Sequence, residues 1–121
     1  MFTRGLVDRQ EVSVAEILSD IAIQRELGGL PGWSRRGDVL TRTYQFRNFA
    51  EAMNFVNRVA DEAESADHHP DIDIRYSKVT LSLSTHSAGG ITENDLRLAK
   101  AIDRGTPEDP GSTAPIEPDL A

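Results

Sequence analysis

Hydrophobic residues recur at helical spacing in three segments, and each segment begins with a side chain that can cap a helix. The first starts at a capping box, Ser13–Glu16, and stops at the glycine pair 28–29, with an apolar face of Ile17, Ile21 and Leu27. The second runs from Asn48 to about Ala66, with an apolar face of Phe49, Met53, Val56, Ala60 and Ala63. The third starts at Thr92, with a core face of Leu96, Ala99 and Ile102.

Alternating apolar and polar residues predict four strands between these helices. Residues 39–46 are rich in β-branched and aromatic side chains, and a turn at 36–38 would join them to a short strand near Trp33. Two later strands would form a hairpin with a turn at 77–78, and their apolar positions are Ile72, Ile74 and Tyr76, then Val79, Leu81 and Leu83. The element order α-β-β-α-β-β-α predicts an α+β fold, a four-stranded antiparallel sheet with three helices packed on one face.

Length and charge divide the chain into a domain and two flanking segments. The 121 residues fit one domain, and the net charge is −7. Residues 105–121 contain four acidic residues, four prolines and no basic residue, a composition typical of a disordered tail. We therefore predict an N-terminal extension at 1–11, partly ordered, a domain at 12–104 and an acidic, proline-rich disordered tail at 105–121.

Composition excludes several classes of function. The chain has no cysteine, so disulfides, thiolate metal sites and cysteine nucleophiles are excluded. Its negative charge disfavours binding to nucleic-acid phosphates. No apolar run reaches the roughly 18 residues of a membrane span, and the N-terminus lacks the apolar core of a signal peptide. These patterns predict a cytoplasmic protein without nucleic-acid or membrane partners.

The three histidines of the chain all fall between residues 68 and 86. His68 and His69 precede Pro70, where the second helix gives way to a strand. His86 follows the last strand on the face of Ser82 and Ser84, opposite the apolar positions. Because the hairpin returns the chain toward its own start, we expect His86 to lie near the other two.

Converging imidazoles suit proton transfer, since histidine changes its charge near neutral pH. Neighbouring carboxylates can fix the tautomer of each ring, and the candidates are Glu64, Asp67 and Asp95. Two alternatives stay open on these residues alone: the histidine pair could be only a polar helix exit, or the three rings could bind zinc. A serine nucleophile is excluded because no G-x-S-x-G motif is present.

Several separated motifs resemble the pterin-4a-carbinolamine dehydratase family in order and spacing. The resemblance covers about residues 30–104. The motifs are Gly32-Trp33, Tyr44-Gln45-Phe46, Glu64, His68-His69-Pro70, Tyr76, Lys78-Val79, Ser84-Thr85-His86, Gly90-Ile91-Thr92 and Asp95. After the His-His-Pro motif the better-known animal members carry an aromatic segment, whereas this chain has Asp71-Ile72-Asp73-Ile74-Arg75.

The resemblance implies an enzyme that dehydrates a 4a-hydroxytetrahydropterin to a quinonoid dihydropterin, without metal or organic cofactor, in tetrahydrobiopterin recycling. It implies catalysis by His68, His69 and His86, with His68 and His86 as acid and base in an order that the sequence leaves open. The implied substrate-binding residues are Asp67, His68, His69, Ser84, Thr85, His86 and Ser87. Glu64 and Asp95 would orient the histidines.

The resemblance also implies partners and an alternative function. Family members assemble as homodimers or homotetramers and serve an aromatic amino acid hydroxylase pathway. The family includes an animal protein that acts as a dimerisation cofactor of a transcription factor, so a non-catalytic interaction module is the alternative. Catalysis on a different pterin is a third possibility.

Overall fold

A computed structural model of the protein describes residues 16–106. The predicted extension and all but the first two residues of the predicted tail lie outside this range. The described chain contains three helices and four strands in the predicted order: α1 (Asp20–Leu27), β1 (Ser34–Arg36), β2 (Val39–Gln45), α2 (Phe49–Ala66), β3 (Asp71–Arg75), β4 (Lys78–Leu83) and α3 (Glu93–Arg104). None of these helices has both the length and the apolar character needed to cross a bilayer.

The four strands form one antiparallel sheet in the order β1-β2-β4-β3, with the helices covering one face. Alternate residues of the two central strands are buried against the helices, namely Leu40, Tyr44, Val79, Leu81 and Leu83. The opposite face carries polar side chains such as Thr43 and Thr80, whose hydroxyls are 2.8 Å apart. The predicted α+β architecture is therefore confirmed, and within residues 16–106 no helix covers the second, polar face of the sheet, which is called the open face.

Helix α1 begins later than the sequence pattern predicts. Ser13 lies outside the described residues, but residues 16–19 are not helical, and Ser19 is the N-cap, accepting from the backbone N–H of Ala22 at 3.1 Å. The backbone N–H of Leu18 donates to the carbonyl of Ile91 at 2.9 Å and is therefore not part of a helical hydrogen bond. As a result Ile21 is 70% exposed and Ile23 is the buried residue of this helix.

Helix α2 has the predicted length but turns a different face to the core. Asn48 caps it, accepting from the backbone N–H of Glu51 at 2.8 Å. The buried side chains are Ala52, Phe55, Val59 and Ala63, each but the last one residue away from a predicted position. The face is rotated because Phe55 packs on Tyr44, with ring centroids 4.5 Å apart, whereas Phe49 lies at the surface.

The hairpin and helix α3 are close to prediction. The turn falls at residues 76–77, one residue earlier than expected, because Tyr76 adopts a left-handed conformation with φ of 54°. Helix α3 has the predicted capping box of Thr92 and Asp95. Its predicted core residues are all buried, and Gly105 ends it.

A buried polar cluster lies at the C-terminal end of α3. The carboxylate of Asp103 accepts from Trp33 Nε1 at 2.9 Å, from Arg42 Nη1 at 3.2 Å and from the Tyr44 hydroxyl at 2.6 Å. Burial and the hydrogen bond to Asp103 raise the pKa of Tyr44 far above its ordinary value. This cluster ties α3 to the loop before β1 and to β2.

Candidate functional site

The turn after α2 directs the two adjacent histidines. Asp67 is left-handed, with φ of 51° and ψ of 43°. The backbone N–H of Asp67 donates to the carbonyl of Glu64 at 3.2 Å, and that of His68 donates to the carbonyl of Ala63 at 3.1 Å. These two bonds form a Schellman motif, which usually has glycine at the left-handed position. The sharp turn brings His68 toward the helical layer of the fold.

His68 pairs with a buried carboxylate on the helix-covered side of the sheet. Its Nε2 lies 2.5 Å from Asp95 Oδ1, and the two side chains are 13% and 0% exposed. An ionised carboxylate only accepts hydrogen bonds, so the ring Nε2 carries the proton in this contact. In the neutral ring the lone pair is then on Nδ1, which is the atom left to accept a proton.

Asp95 is itself held from its other oxygen. Oδ2 accepts from the Thr85 hydroxyl at 2.9 Å and from the backbone N–H of Thr92 at 2.9 Å. Thr85 and Thr92 are both buried. The carboxylate of Asp95, which is part of the capping box of α3, therefore also orients the ring of His68.

His69 points to different surroundings from those of its neighbour. Its Nε2 lies 2.6 Å from Glu64 Oε2, and the two side chains are 57% and 77% exposed. Glu64 lies in the last turn of α2, five residues before His69. The second histidine is thus also paired with a carboxylate, but in contact with solvent.

His86 begins a short closed loop after β4. The backbone N–H of Thr85 donates to the carbonyl of Gly90 at 2.9 Å, and the carbonyl of Thr85 accepts from Gly89 at 2.9 Å. Gly89 has φ of 80°, which favours glycine. The strand alternation continues into this loop, so Thr85 is buried and His86 is exposed. Within residues 16–106, the ring of His86 has no hydrogen-bond or ion-pair partner.

A cavity of about 220 Å³ lies at the edge of the open sheet face where β2 and β3 begin and β4 ends. The residues that line it are Val39, His69, Asp71, Ser82, Ser84 and His86. Its volume is below the roughly 300–1,000 Å³ of pockets for drug-sized ligands, so it suits a smaller ring system. Serine hydroxyls and the Asp71 carboxylate offer hydrogen bonds to a polar ligand.

The structure brings His69, His86 and Ser84 together around this cavity, while His68, Asp95 and Thr85 form a separate hydrogen-bonded network whose side chains do not line it. In each of the adjacent pairs 68–69 and 85–86, the first side chain is therefore directed into the fold and the second toward the surface. Asp67 and Ser87 are exposed and do not line the cavity. Sequence reasoning missed Asp71 and Ser82, which the alternation of the hairpin strands could have placed on the open face. It also missed Val39.

The rings of His68 and His69 pair with separate carboxylates, whereas a zinc site needs its ligands directed at one ion. Within the described part of the chain, no three His, Asp or Glu side chains are arranged as a metal site requires. Among the described residues, the site contains two histidine–carboxylate pairs, and the ring of His86 pairs with none of them.

The fold and the site define a small α+β protein with paired histidines and carboxylates at one edge of its sheet. The sequence model of the family described as pterin 4 alpha carbinolamine dehydratase matches residues 16–105, and the chain belongs to this family. The resemblance seen in the sequence is therefore confirmed.

Relatives and a solved structure agree with this assignment. A protein of Thermomicrobium roseum, named "Putative pterin-4-alpha-carbinolamine dehydratase", is 60% identical over 85 residues, covering 70% of this chain and 91% of the relative. A protein of the same name from Mycobacteroides abscessus is 55% identical over 87 residues, covering 72% and 93%. The crystal structure of a transcriptional coactivator/pterin dehydratase from Brucella melitensis is 32% identical, with a TM-score of 0.71, and covers 74% of this chain and 97% of that one.

Proposed function

We propose that this protein is a lyase that dehydrates a 4a-hydroxytetrahydropterin to quinonoid dihydropterin and water, and that its histidines transfer the protons. The observation that carries the proposal is the pairing of His68 with the buried carboxylate of Asp95, directly before His69 in the chain, which lines a small cavity together with His86. Family membership supplies the pterin and the dehydration. The physiological role we propose is recycling of tetrahydrobiopterin.

The reaction needs one proton donor and one proton acceptor. Hydroxide is a poor leaving group, so a donor must protonate the 4a-oxygen as the C4a–O bond breaks and its electron pair leaves with the oxygen. An acceptor must take the N5 proton, and the N–H bond electrons then form the C4a=N5 double bond. One water and one quinonoid dihydropterin result, and two histidines are sufficient for both transfers.

We assign the donor role to His86 and the acceptor role to His68. His86 is exposed, lines the cavity and has no partner on either ring nitrogen within residues 16–106, so it can regain its proton from solvent. The Nε2 of His68 is bound to Asp95, so Nδ1 is the nitrogen that can accept a proton. When it does, the Asp95 carboxylate beside the ring stabilises the positive charge that the ring gains. His69 binds and polarises the pterin, with its ring oriented by Glu64.

Substrate binding is proposed for the segments that surround these rings. Ser84 and His69 line the cavity directly. Asp67, Thr85 and Ser87 would contribute through the backbone of the two turns, because their side chains do not line it. Asp71 is added to the binding residues, since its carboxylate can accept from the amino and ring N–H groups at the edge of a pterin.

The test is a dehydration assay in which a hydroxylase generates the carbinolamine in situ. The wild type is compared with His68→Ala/His86→Ala, and circular dichroism checks that both proteins are folded. Acceleration by the wild type and not by the double variant supports the proposal. A folded wild type without any acceleration overturns it and favours a non-catalytic interaction module.

We also propose that the protein forms a homodimer or a homotetramer. The strand order leaves β1 and β3 each with one edge that no described strand pairs, and such edges promote association. Ile72 on β3 is 36% exposed. Sedimentation velocity at micromolar concentrations tests this, and a single species of monomer mass contradicts it.

A further inference from the structure

Two buried hydroxyls link the N-cap of α3 to the site. Thr85 Oγ1 lies 2.7 Å from Thr92 Oγ1 and 2.9 Å from Asp95 Oδ2. Thr92 is 0% exposed and Thr85 is 5% exposed. The backbone N–H of Asn94 donates to Thr92 Oγ1 at 3.2 Å.

The direction of these hydrogen bonds follows from the number of protons available. A carboxylate can only accept, so the single proton of the Thr85 hydroxyl is donated to Asp95. Thr85 must then accept in its contact with Thr92, so the Thr92 hydroxyl is the donor there. The backbone N–H of Asn94 supplies the bond that Thr92 accepts. The relay therefore runs in one direction, from the start of α3 to Asp95.

The relay ends on the carboxylate that holds His68. With two donors on Oδ2, from Thr85 and from the backbone of Thr92, Oδ1 faces the His68 ring. Because Asp95 is fully buried, no solvent can replace a lost donor without local opening.

We propose that Thr92 is a positioning residue for His68, acting through Thr85 and Asp95 to keep the ring in the tautomer with the proton on Nε2. The proposal deepens the proposed function, because it explains how one proton-transfer histidine is held ready. Thr92 thus has two roles, as the N-cap of α3 and as the origin of the relay.

The test separates these roles with three variants. Thr92→Val keeps the shape of the side chain but removes the hydroxyl, and Thr92→Ser keeps the hydroxyl. Asn48→Ala removes the N-cap of α2 and serves as the control, since it weakens a helix without touching the relay. Long-range ¹H–¹⁵N NMR spectra of ¹⁵N-histidine protein, recorded without substrate, report the tautomer of His68.

The wild type and Thr92→Ser are expected to show His68 protonated at Nε2. In Thr92→Val the Asp95 carboxylate is held less firmly against the ring, so His68 loses this contact in part of the molecules and shows a mixture of tautomers. Thr92→Val should lower kcat about tenfold with little change in KM, the effect of losing one hydrogen bond in the relay, and Thr92→Ser should restore it. Unchanged His68 spectra in Thr92→Val, or the same changes in Asn48→Ala, would overturn the proposal. Because the spectra need no substrate, they decide the tautomer even if the wild type fails to dehydrate a pterin.

Discussion

Helix α3 carries two buried or largely buried carboxylates, Asp95 in its first turn and Asp103 near its end, and each accepts three hydrogen bonds. Asp95 accepts from His68, a threonine hydroxyl and a backbone N–H. Asp103 accepts from the side chains of Trp33, Arg42 and Tyr44. The two clusters are similar in architecture but differ in the chemistry of their partners.

The difference lies in whether a partner can exchange a proton near neutral pH. Imidazole is the side chain suited to such exchange, whereas arginine stays charged and burial keeps the pKa of Tyr44 far above its ordinary value. Under the proposed function, a carboxylate therefore stabilises the fold at the C-terminal end of α3 and supports proton transfer at its N-terminal end. What distinguishes the two carboxylates is the chemistry of their partners, not burial alone.

The largest expected effect separates the two carboxylates directly. Asp95→Asn should lower kcat about 10²–10⁴-fold, because an amide can present a donor to His68 and no longer fixes its tautomer. Asp103→Asn should leave kcat within about threefold, although it should destabilise the fold by about 2 kcal/mol through its lost bonds. Steady-state assays of both variants, at a temperature where each is folded, make the comparison.

Stability must be matched for this comparison to hold. Asp95→Asn also weakens the capping box and should cost about 1–3 kcal/mol, so urea unfolding of both variants accompanies the kinetics. Equal losses of kcat in the two folded variants would show that the ends of α3 do not differ in function.

The second prediction concerns the Asp103 end alone. Tyr44→Phe should lower the free energy of unfolding by about 1.5–3 kcal/mol at pH 8, since a buried carboxylate loses a donor. The pKa of Tyr44 is raised in the folded protein. The stabilisation by its hydroxyl is therefore fully present below the pKa of about 10 in the unfolded chain, and it is lost as pH rises above that value. The difference in free energy of unfolding between the wild type and Tyr44→Phe should therefore become smaller above pH 10.

Urea unfolding from pH 8 to pH 11 measures this narrowing. All other side chains are the same in both proteins, so the difference in their free energies of unfolding isolates Tyr44. A stability difference that stays constant with pH would mean that folding does not raise the pKa of Tyr44.

The sequence was sufficient for the fold because local patterns decide it. Strand alternation and the α3 cap predicted the sheet, the order of elements and the buried face of α3. The predicted buried face of α2 was wrong, because the rotation of this helix depends on the packing of Phe55 against Tyr44, and the local sequence does not indicate this contact. The start of α1 was wrong, and the backbone N–H of Leu18 bonds to Ile91 instead of taking part in a helical hydrogen bond.

The candidate site was predicted unevenly for the same reason. Histidine spacing and the hairpin placed His69 and His86 at one edge of the sheet. The inward turn of His68 depends on the left-handed Asp67, and neither this turn nor the Asp103 cluster has a sequence signal. Asp103 is joined to residues 59 to 70 positions away, and only the folded chain brings them together. The roles of the site residues stay predictions.

The third prediction compares backbone strain at the two ends. The left-handed position near Asp103 is Gly32, with φ of 90°, where an added Cβ would lie 2.7 Å from the Arg42 guanidinium. The left-handed position near His68 is Asp67, a residue with a Cβ. Asp67→Gly should therefore raise the free energy of unfolding by about 0.5–1 kcal/mol, because glycine adopts this conformation without strain.

Thermal unfolding measures the change, with Asp61→Gly as the matched control. Asp61 is exposed inside the same helix, so glycine there should lower stability by a few tenths of a kcal/mol. Gly32→Ala should lower it by more than 1 kcal/mol. Destabilisation by Asp67→Gly equal to that of Asp61→Gly would show that Asp67 makes a side-chain contribution that outweighs its backbone strain.

The smallest expected effect tests whether burial is what gives Asp95 its influence on a histidine. Glu64 contacts His69 at 2.6 Å, about the distance between Asp95 and His68, but its side chain is 77% exposed. An exposed pair contributes about 0–1 kcal/mol, because water competes for both partners. Glu64→Gln should therefore change kcat/KM by less than about fivefold, against the far larger loss in Asp95→Asn. A loss of a hundredfold or more in Glu64→Gln would move the proton-transfer role from His68 to His69, since only a ring that handles the proton would depend so strongly on a solvated carboxylate.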